Sequence, residues 1–157
     1  RVCAGMFDAE AYGVKSSSFD MLKFLDAQIY PQKLKQSLQT AIEATHVGYF
    51  KVGAMTQGLG WEQYAYPVQL ETLLQGNSSK MALESHAATP IKQPKRAPAA
   101  TLFNKTGSSN GFGAYAAFIP QQEIGIVMLA NTNFPNDARI TASYHVMQQL
   151  LQADTAQ

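Results

Sequence analysis

One short stretch of the sequence, from Lys105 to Tyr115, combines a cation, a cluster of hydroxyl and amide groups and three glycines. It leads directly into an apolar run, Ala116–Ile119, which is typical of a buried β-strand. Glycines in a strand leave backbone N–H and C=O groups uncovered, so a substrate or another chain can approach and pair with them. Lys105 would supply a fixed positive charge beside those groups. The stretch therefore predicts a reactive strand edge that is continuous with the core.

This stretch resembles the Lys-Thr-Gly strand of the serine β-lactamases and penicillin-binding proteins. A longer set of segments is similar to class C β-lactamases, the cephalosporinases: Gly5–Ser16, Gly58–Glu62, Lys105–Tyr115, Phe118–Pro120, Gly125–Asn131, Asn133–Asn136 and Arg139. The resemblance covers nearly the whole chain. It implies an α+β fold in which an antiparallel β-sheet is flanked by helices, together with part of a helical domain.

Two motifs of that family, a Ser-x-x-Lys helix start and a Tyr-x-Asn loop, are not found in the sequence. The nearest approach to the first is Thr89-Pro90-Ile91-Lys92, whose proline lies in a Pro-rich segment unsuited to a buried helix start. We therefore expect the chain to be the C-terminal part of a longer enzyme, with the nucleophile upstream. Its partner would be the N-terminal part of the same enzyme, and the complete protein would be a monomer.

The resemblance assigns catalytic roles to three residues of the motif. Lys105 would orient the substrate carboxylate or help to shift the pKa of a neighbouring group, and Thr106 would hydrogen-bond the same carboxylate. The backbone N–H of Ser108 would form half of the oxyanion hole. Gly107 and Ser109 are expected to line the substrate site. The alternative for Lys105 is a strand lysine that only protects an edge. Ser108 itself is rejected as the nucleophile, because no His or Lys is arranged in the sequence as its evident base.

The other expected substrate-binding residues are Tyr12, Asn133, Asn136 and Arg139. Asn136 and Arg139 are three residues apart, so at a helix start they share one face, where an amide and a guanidinium suit a carboxylate. The alternative is that Asn136 caps the helix and that Arg139 forms a surface pair with Asp137. For Tyr12 the alternative is an aromatic side chain that holds a loop on the core.

Composition and charge exclude several classes of function. A formal net charge of +1 argues against a nucleic-acid-binding face. No apolar run is long enough to span a membrane. His46, His86 and His145 lack neighbouring ligands at metal-binding spacing, and the glycine patterns of nucleotide sites are incomplete. No metal or organic cofactor is therefore expected, and a periplasmic location follows only from the family resemblance.

Local patterns predict the elements that position this site. Ser17 and Asp20 predict a helix start, Pro31 is expected in the first turn of a second helix, and Val68–Leu74 is expected to form one or two helical turns. Gly48–Tyr66 is interpreted as irregular and strand-like, Lys80–Leu83 as a possible short strand, and His86–Ala100 as a loop. Three strands and a helix are predicted in the last third: Thr101–Gly107, Gly111–Ile119, Ile124–Ala130 and a helix from about Asn136.

The sequence also predicts a division at residue 76. Residues 1–76 would hold a cleft loop and a portion of the helical domain, and residues 77–157 the α/β portion. The expected function is hydrolysis of cephalosporins and penicillins through a serine acyl-enzyme. The alternatives are a penicillin-binding protein, peptidase or esterase of the same fold, or a fragment that binds ligand without catalysis.

Overall fold

A computed structural model describes residues 13–154, and Tyr12 therefore lies outside the described residues. The described residues form a seven-stranded antiparallel sheet with the order β4-β1-β2-β3-β5-β6-β7. The strands are β1 Val47–Val52, β2 Met55–Gly58, β3 Glu62–Ala65, β4 Thr89–Arg96, β5 Thr101–Ser108, β6 Gly113–Ile119 and β7 Ile124–Ala130. The predicted fold class, an antiparallel sheet flanked by helices, is confirmed.

Five α-helices accompany the sheet in this part of the chain: α1 Ser18–Ile29, α2 Gln36–Thr45, α3 Leu70–Gly76, α4 Ser79–Leu83 and α5 Asn136–Asp154. The start of α1 is as predicted, because the Ser17 hydroxyl accepts a hydrogen bond from the backbone N–H of Asp20 at 3.2 Å. Short 3₁₀ turns occupy Pro31–Lys33 and Pro120–Gln122. None of the described helices is both long and apolar enough to cross a membrane.

Alternating side chains of β6 assign the two faces of the sheet to different helices. Tyr115, Ala117 and Ile119 join one core cluster with the α5 residues Ile140 and Met147. Ala116 and Phe118 point the other way and join Leu25 of α1, Trp61 and Phe103 in a second cluster. Side chains in a strand alternate between faces, so a strand that is apolar throughout requires cover on both.

Two sequence-based assignments are wrong. Lys80–Leu83 is part of helix α4, because the Ser78 hydroxyl caps it by accepting the N–H of Met81 at 3.1 Å. The predicted loop His86–Ala100 contains strand β4, which pairs with β1 at the margin of the sheet. Its prolines are compatible with a strand because an edge strand needs hydrogen bonds on one side only.

The irregular stretch predicted from Gly48 to Tyr66 is more regular than expected, since it contains most of β1 and all of β2 and β3. These strands also bear on the expected division at residue 76. Strand β3, from the first part, pairs directly with β5, from the second, with Glu62 opposite Asn104. The sheet thus takes strands from both parts, and the division stays a prediction.

Candidate functional site

The Lys-Thr-Gly motif lies where β5 extends beyond its neighbour β3. Pairing between β3 and β5 ends at Glu62 and Asn104, whereas β6 accompanies β5 as far as Ser108 opposite Gly113. Among the described strands, none pairs with the second edge of Lys105–Ser108. Residues Thr101–Asn104 are buried, and the four that follow are exposed or half-buried. The tertiary structure therefore presents a strand edge whose backbone groups are accessible to a ligand.

Lys105 is held over this edge by an ion pair with Glu62. Its Nζ atom donates to Oε1 of Glu62 at 2.9 Å, and the two side chains are 48% and 12% exposed. The other oxygen of Glu62, Oε2, is buried and has no hydrogen-bond partner among the described residues. Because the Lys105 end of the pair is exposed to solvent, the pair contributes little to stability, and its main consequence is to orient the ammonium group.

An apolar groove of about 520 Å³ opens beside the motif, between the sheet and helices α1 and α2. Lys105, Thr106 and Gly107 form one border, and its floor and walls are mainly apolar: Met21, Phe24, Ala41, Ile42, Trp61, Ala116, Val127 and Leu129. Several large side chains on this side are exposed, including Phe24 at 45% and Leu129 at 42%. A cation and a hydroxyl at the border of an apolar groove can bind the anionic group of a largely apolar ligand.

Arg139 lies beneath the end of the motif and is 1% exposed. Its Nη1 atom donates to the carbonyl oxygens of Gly107 at 2.7 Å and Ala114 at 2.6 Å, and Nη2 donates to the Ser108 hydroxyl at 2.7 Å. Burial lowers the pKa of Arg139. The alternative surface pair with Asp137 is wrong, because the guanidinium is turned inward onto these oxygens.

Ser108 and Ser109 end the strand and begin the β5–β6 hairpin loop. The Ser108 hydroxyl accepts a hydrogen bond from the guanidinium of Arg139. A guanidinium cannot accept a proton, so this contact provides no base for Ser108. The backbone N–H of Ser109 donates to the carbonyl of Phe112 at 2.9 Å and closes the loop. A side chain at Gly107 would meet only the Cβ of Ala114, at 3.9 Å, so the surface over Gly107 is open to a ligand.

Asn133 and Asn136 flank the start of α5 but have different surroundings. Asn133 is exposed in the connection from β7. Asn136 donates from Nδ2 to the carbonyl of Asn77 at 2.6 Å, while its Oδ1 atom is buried and unpartnered within the described part of the chain. Asn136 and Arg139 therefore make separate sets of contacts, although their spacing in the helix is the expected one.

The described histidines do not provide a base or a metal site beside the motif. His46 is 1% exposed, bonds Gln28 at 2.9 Å and stacks near Phe103. Burial, and then the charge of Arg96, lower its pKa to about 4. Within residues 13–154, no three His, Cys, Asp or Glu side chains come together in a way that could hold a metal ion.

Sequence reasoning missed two residues that shape the site, Glu62 and Gly113. Glu62 was noticed only as part of a longer similar segment, and its contact with Lys105 joins residues 43 positions apart. A Cβ atom at Gly113 would lie 3.0 Å from Cζ and Nη1 of Arg139, so the guanidinium would have to shift to admit a side chain there. The second glycine of Gly111-Phe112-Gly113 was the available signal.

This chain is similar in sequence and in structure to known proteins. The sequence model of the family described as Beta-lactamase matches residues 1–151. A beta-lactamase of Pseudomonas fluorescens is 47% identical over 150 residues, which are 96% of this chain and 42% of that protein. The chain thus spans about two fifths of the length of the curated relatives it matches.

Solved structures give the same result at the level of the fold. A beta-lactamase/D-alanine carboxypeptidase from Pseudomonas syringae superposes with a TM-score of 0.89 at 49% identity, covering 94% of this chain and 41% of that one. A class C beta-lactamase in complex with cefoxitin superposes with a TM-score of 0.88 at 46% identity, covering 95% and 41%.

Proposed function

This chain belongs to the beta-lactamase family, and on that premise we propose that it supplies the Lys105–Ser108 edge of a class C serine enzyme that hydrolyses cephalosporins and penicillins. The class C resemblance inferred from the motif and its flanking segments is confirmed by the class C structures that superpose on the chain. The observation that carries the proposal is the unpaired β5 edge, with a lysine and a threonine beside an apolar groove.

In the proposed reaction, a serine outside the motif attacks the lactam carbonyl carbon, and the carbonyl oxygen becomes an oxyanion. The backbone N–H of Ser108 and the N–H of the nucleophile stabilise that oxyanion. The ring C–N bond then breaks, and the nitrogen takes up the equivalent of the proton that the serine hydroxyl lost on attack. Water subsequently hydrolyses the ester that links the serine to the opened ring, which regenerates the serine.

Recognition of the substrate uses the charge and the open edge of β5. Lys105 and Thr106 bind the ring carboxylate, with Asn133 and Asn136 nearby at the start of α5. The carbonyl of Ser108 accepts the side-chain amide of the antibiotic in the manner of an added strand, while Gly107 and Ser109 leave room for it. Tyr12 lines the same cleft.

The rest of the enzyme would dock on the exposed apolar groove between the sheet and helices α1 and α2. Phe19, Leu22 and Phe24 of α1 are 65%, 50% and 45% exposed, and Phe24 lines the groove itself. An upstream segment that carries the nucleophile beside Lys105 would cover them. The complete enzyme would work as a periplasmic monomer.

The test is the intact mass of the full-length protein, with and without a slowly hydrolysed β-lactam. We expect one molecule of β-lactam to add to the protein, and a chromogenic cephalosporin to be turned over many times. Acylation without turnover would instead indicate a penicillin-binding protein or peptidase. The absence of any mass increase would contradict a serine acyl-enzyme altogether.

A further inference from the structure

The contacts of Arg139 affect the N–H of Ser108, the group of this chain that the proposed mechanism places on the oxyanion. Gly107 and Ala114 are partners in the register of β5 and β6, and a single atom, Nη1 of Arg139, bonds both of their carbonyl oxygens. The carbonyl of Gly107 is therefore directed toward β6. This carbonyl and the N–H of Ser108 belong to the same peptide unit.

The peptide between Gly107 and Ser108 is trans. In a planar trans peptide the N–H points opposite to the C=O, so the N–H of Ser108 is directed away from β6. On that side the pairing with β3 stops at Asn104, which lies opposite Glu62, and the described residues leave the edge open beyond it. Arg139 thus binds the inner end of a peptide whose outer end faces the open edge of the strand.

A guanidinium on the carbonyl oxygen affects the N–H at the other end of the unit. A charged donor bonds a carbonyl about twice as strongly as a neutral one and fixes the peptide plane. It also polarises the peptide, and such hydrogen bonds in series strengthen one another by roughly 10–30%. The N–H of Ser108 is consequently both oriented and made a better donor.

The surroundings of Arg139 indicate that its charge is directed at these carbonyls. The side chain is 1% exposed, and both ion pairs found among residues 13–154 involve other residues, Arg96 with Glu43 and Lys105 with Glu62. A buried charge without a carboxylate must be stabilised by dipoles. Gly113 allows the close approach, since its missing Cβ would lie 3.0 Å from the guanidinium.

From this geometry we infer that Arg139 is a positioning residue, which aims and polarises the Ser108 N–H for the oxyanion without contacting the substrate. The inference rests on the proposed function and deepens it. It differs from the expectation, drawn from helix spacing, that Arg139 binds the substrate carboxylate directly. The two roles predict different kinetics.

The experiment compares four variants of the full-length protein: Arg139→Met, Arg139→Lys, Gly113→Ala and the control Arg96→Met. Arg139→Met removes the charge and its hydrogen bonds, and Arg139→Lys keeps the charge without the fork of donors. Gly113→Ala keeps the arginine but displaces it. Arg96→Met removes an exposed arginine from the far edge of the sheet.

Acylation rates are measured with a cephalosporin and with the amide made from its ring carboxylate. We expect Arg139→Met to lower the acylation rate constant about 10- to 100-fold for both compounds, since a misplaced oxyanion donor loses much of its effect. Gly113→Ala should lower it in the same direction, Arg139→Lys less than Arg139→Met, and Arg96→Met by less than about twofold.

A second readout does not depend on activity. The amide proton of Ser108 should move upfield in the NMR spectrum of Arg139→Met and Gly113→Ala, but not of Arg96→Met, because its peptide is less polarised. If Arg139→Met does not fold, Gly113→Ala and Arg139→Lys carry the same comparison. An unchanged Ser108 amide shift in the folded variants would overturn the inference.

A rise in KM confined to the carboxylate-bearing cephalosporin, with an unchanged acylation rate constant, would also overturn it and assign Arg139 to direct substrate binding. A wild-type protein that is not acylated at all would overturn the proposed function. In that case the Ser108 amide shift still decides whether Arg139 polarises this peptide.

Discussion

The two halves of strand β5 have the same backbone conformation and opposite surroundings. Thr101–Asn104 is buried and pairs with β3 throughout and with β6 from Phe103 onward. Among the described strands, Lys105–Ser108 pairs with β6 alone, and it is exposed or half-buried. Phe103, in the first half, stacks on Phe118 at 4.8 Å. The side chain of Lys105, in the second half, donates a hydrogen bond to the Glu62 carboxylate at 2.9 Å.

This difference separates stability from chemistry within a single strand. The first half is fixed by packing on both faces, by its pairing with β3 and, from Phe103 onward, by pairing with β6, so it holds the strand in place. The second half has backbone groups and a cation that are available to a ligand. A site built on the extension of a core strand has a well-defined geometry, because its support is rigid.

The largest effect is expected in the buried half, for Phe103→Ala. Phe103 is 2% exposed and contacts both Phe118 and His46. Removing a buried phenylalanine costs about 3–5 kcal/mol. Denaturant unfolding should therefore show a loss of this size, with little change in activity per folded molecule. Phe112→Ala, at a side chain that is 57% exposed, is the matched control and should change stability by less than about 0.5 kcal/mol. Equal losses of stability from the two substitutions would contradict the difference between the buried and the exposed phenylalanine.

In the exposed half, Lys105→Met should affect the reaction rather than the fold. Loss of a preorganised positive charge at the substrate is expected to lower kcat/KM about 100-fold. Glu62 would be left without its partner, so the double variant Lys105→Met with Glu62→Gln separates that effect from catalysis. If Glu62→Gln restores the rate in the Lys105→Met background, Lys105 acts by neutralising Glu62 and not on the substrate.

The histidine that packs on the buried half predicts a pH dependence. Burial lowers the pKa of His46 to about 4 in the folded protein, whereas the unfolded chain takes up this proton near pH 6.5. Between these values the unfolded state binds more protons, so the free energy of unfolding should fall as the pH falls from about 6.5 to about 4, by about 1–3 kcal/mol. Above pH 6.5 the contribution is fully present.

Urea denaturation at several pH values measures this dependence, with His46→Gln as the comparison because glutamine does not titrate. The slope between pH 6.5 and 4 should be smaller in His46→Gln than in the wild type. Identical slopes in the two proteins would show that other groups determine the acid sensitivity.

The smallest effect is expected at the exposed pair between Arg96 and Glu43. Their side chains are 53% and 33% exposed and meet at 3.2 Å. Such a pair contributes about 0–1 kcal/mol, so Arg96→Met should change stability only slightly at neutral pH. Since the charge of Arg96 also lowers the pKa of His46, this variant should raise that pKa, as followed by NMR titration. A lower His46 pKa in Arg96→Met would contradict the assignment.

The two outer strands show where local sequence patterns were sufficient and where they were not. β7 is an uninterrupted apolar run, and its limits, Ile124–Ala130, are those that the sequence predicts. β4 contains Pro90, Pro94, Lys92 and Lys95 and was predicted to be a loop. Prolines and lysines are common on edge strands because they discourage further pairing. Nothing local distinguishes such a strand from a loop.

The site residues show the same limit of local sequence patterns. The motif itself, Lys105-Thr106-Gly107, is contiguous and was recognised directly. The pairing of Lys105 with Glu62 spans 43 positions, and the contact of Asn136 with Asn77 spans 59. The spacing of Asn136 and Arg139 predicted a shared helix face. In the structure each side chain instead bonds the groups that tertiary packing places beside it.

By itself, the sequence determined the family, the last three strands, the start of α1 and the identity of the reactive strand, because contiguous motifs and short-range periodicity carry that information. Only the tertiary structure decided that β3 ends before Lys105 and opens the strand edge. It also placed Arg139 on the carbonyl of Gly107, 32 residues away. Contacts between distant residues depend on how the sheet and helices pack, and no local pattern encodes them.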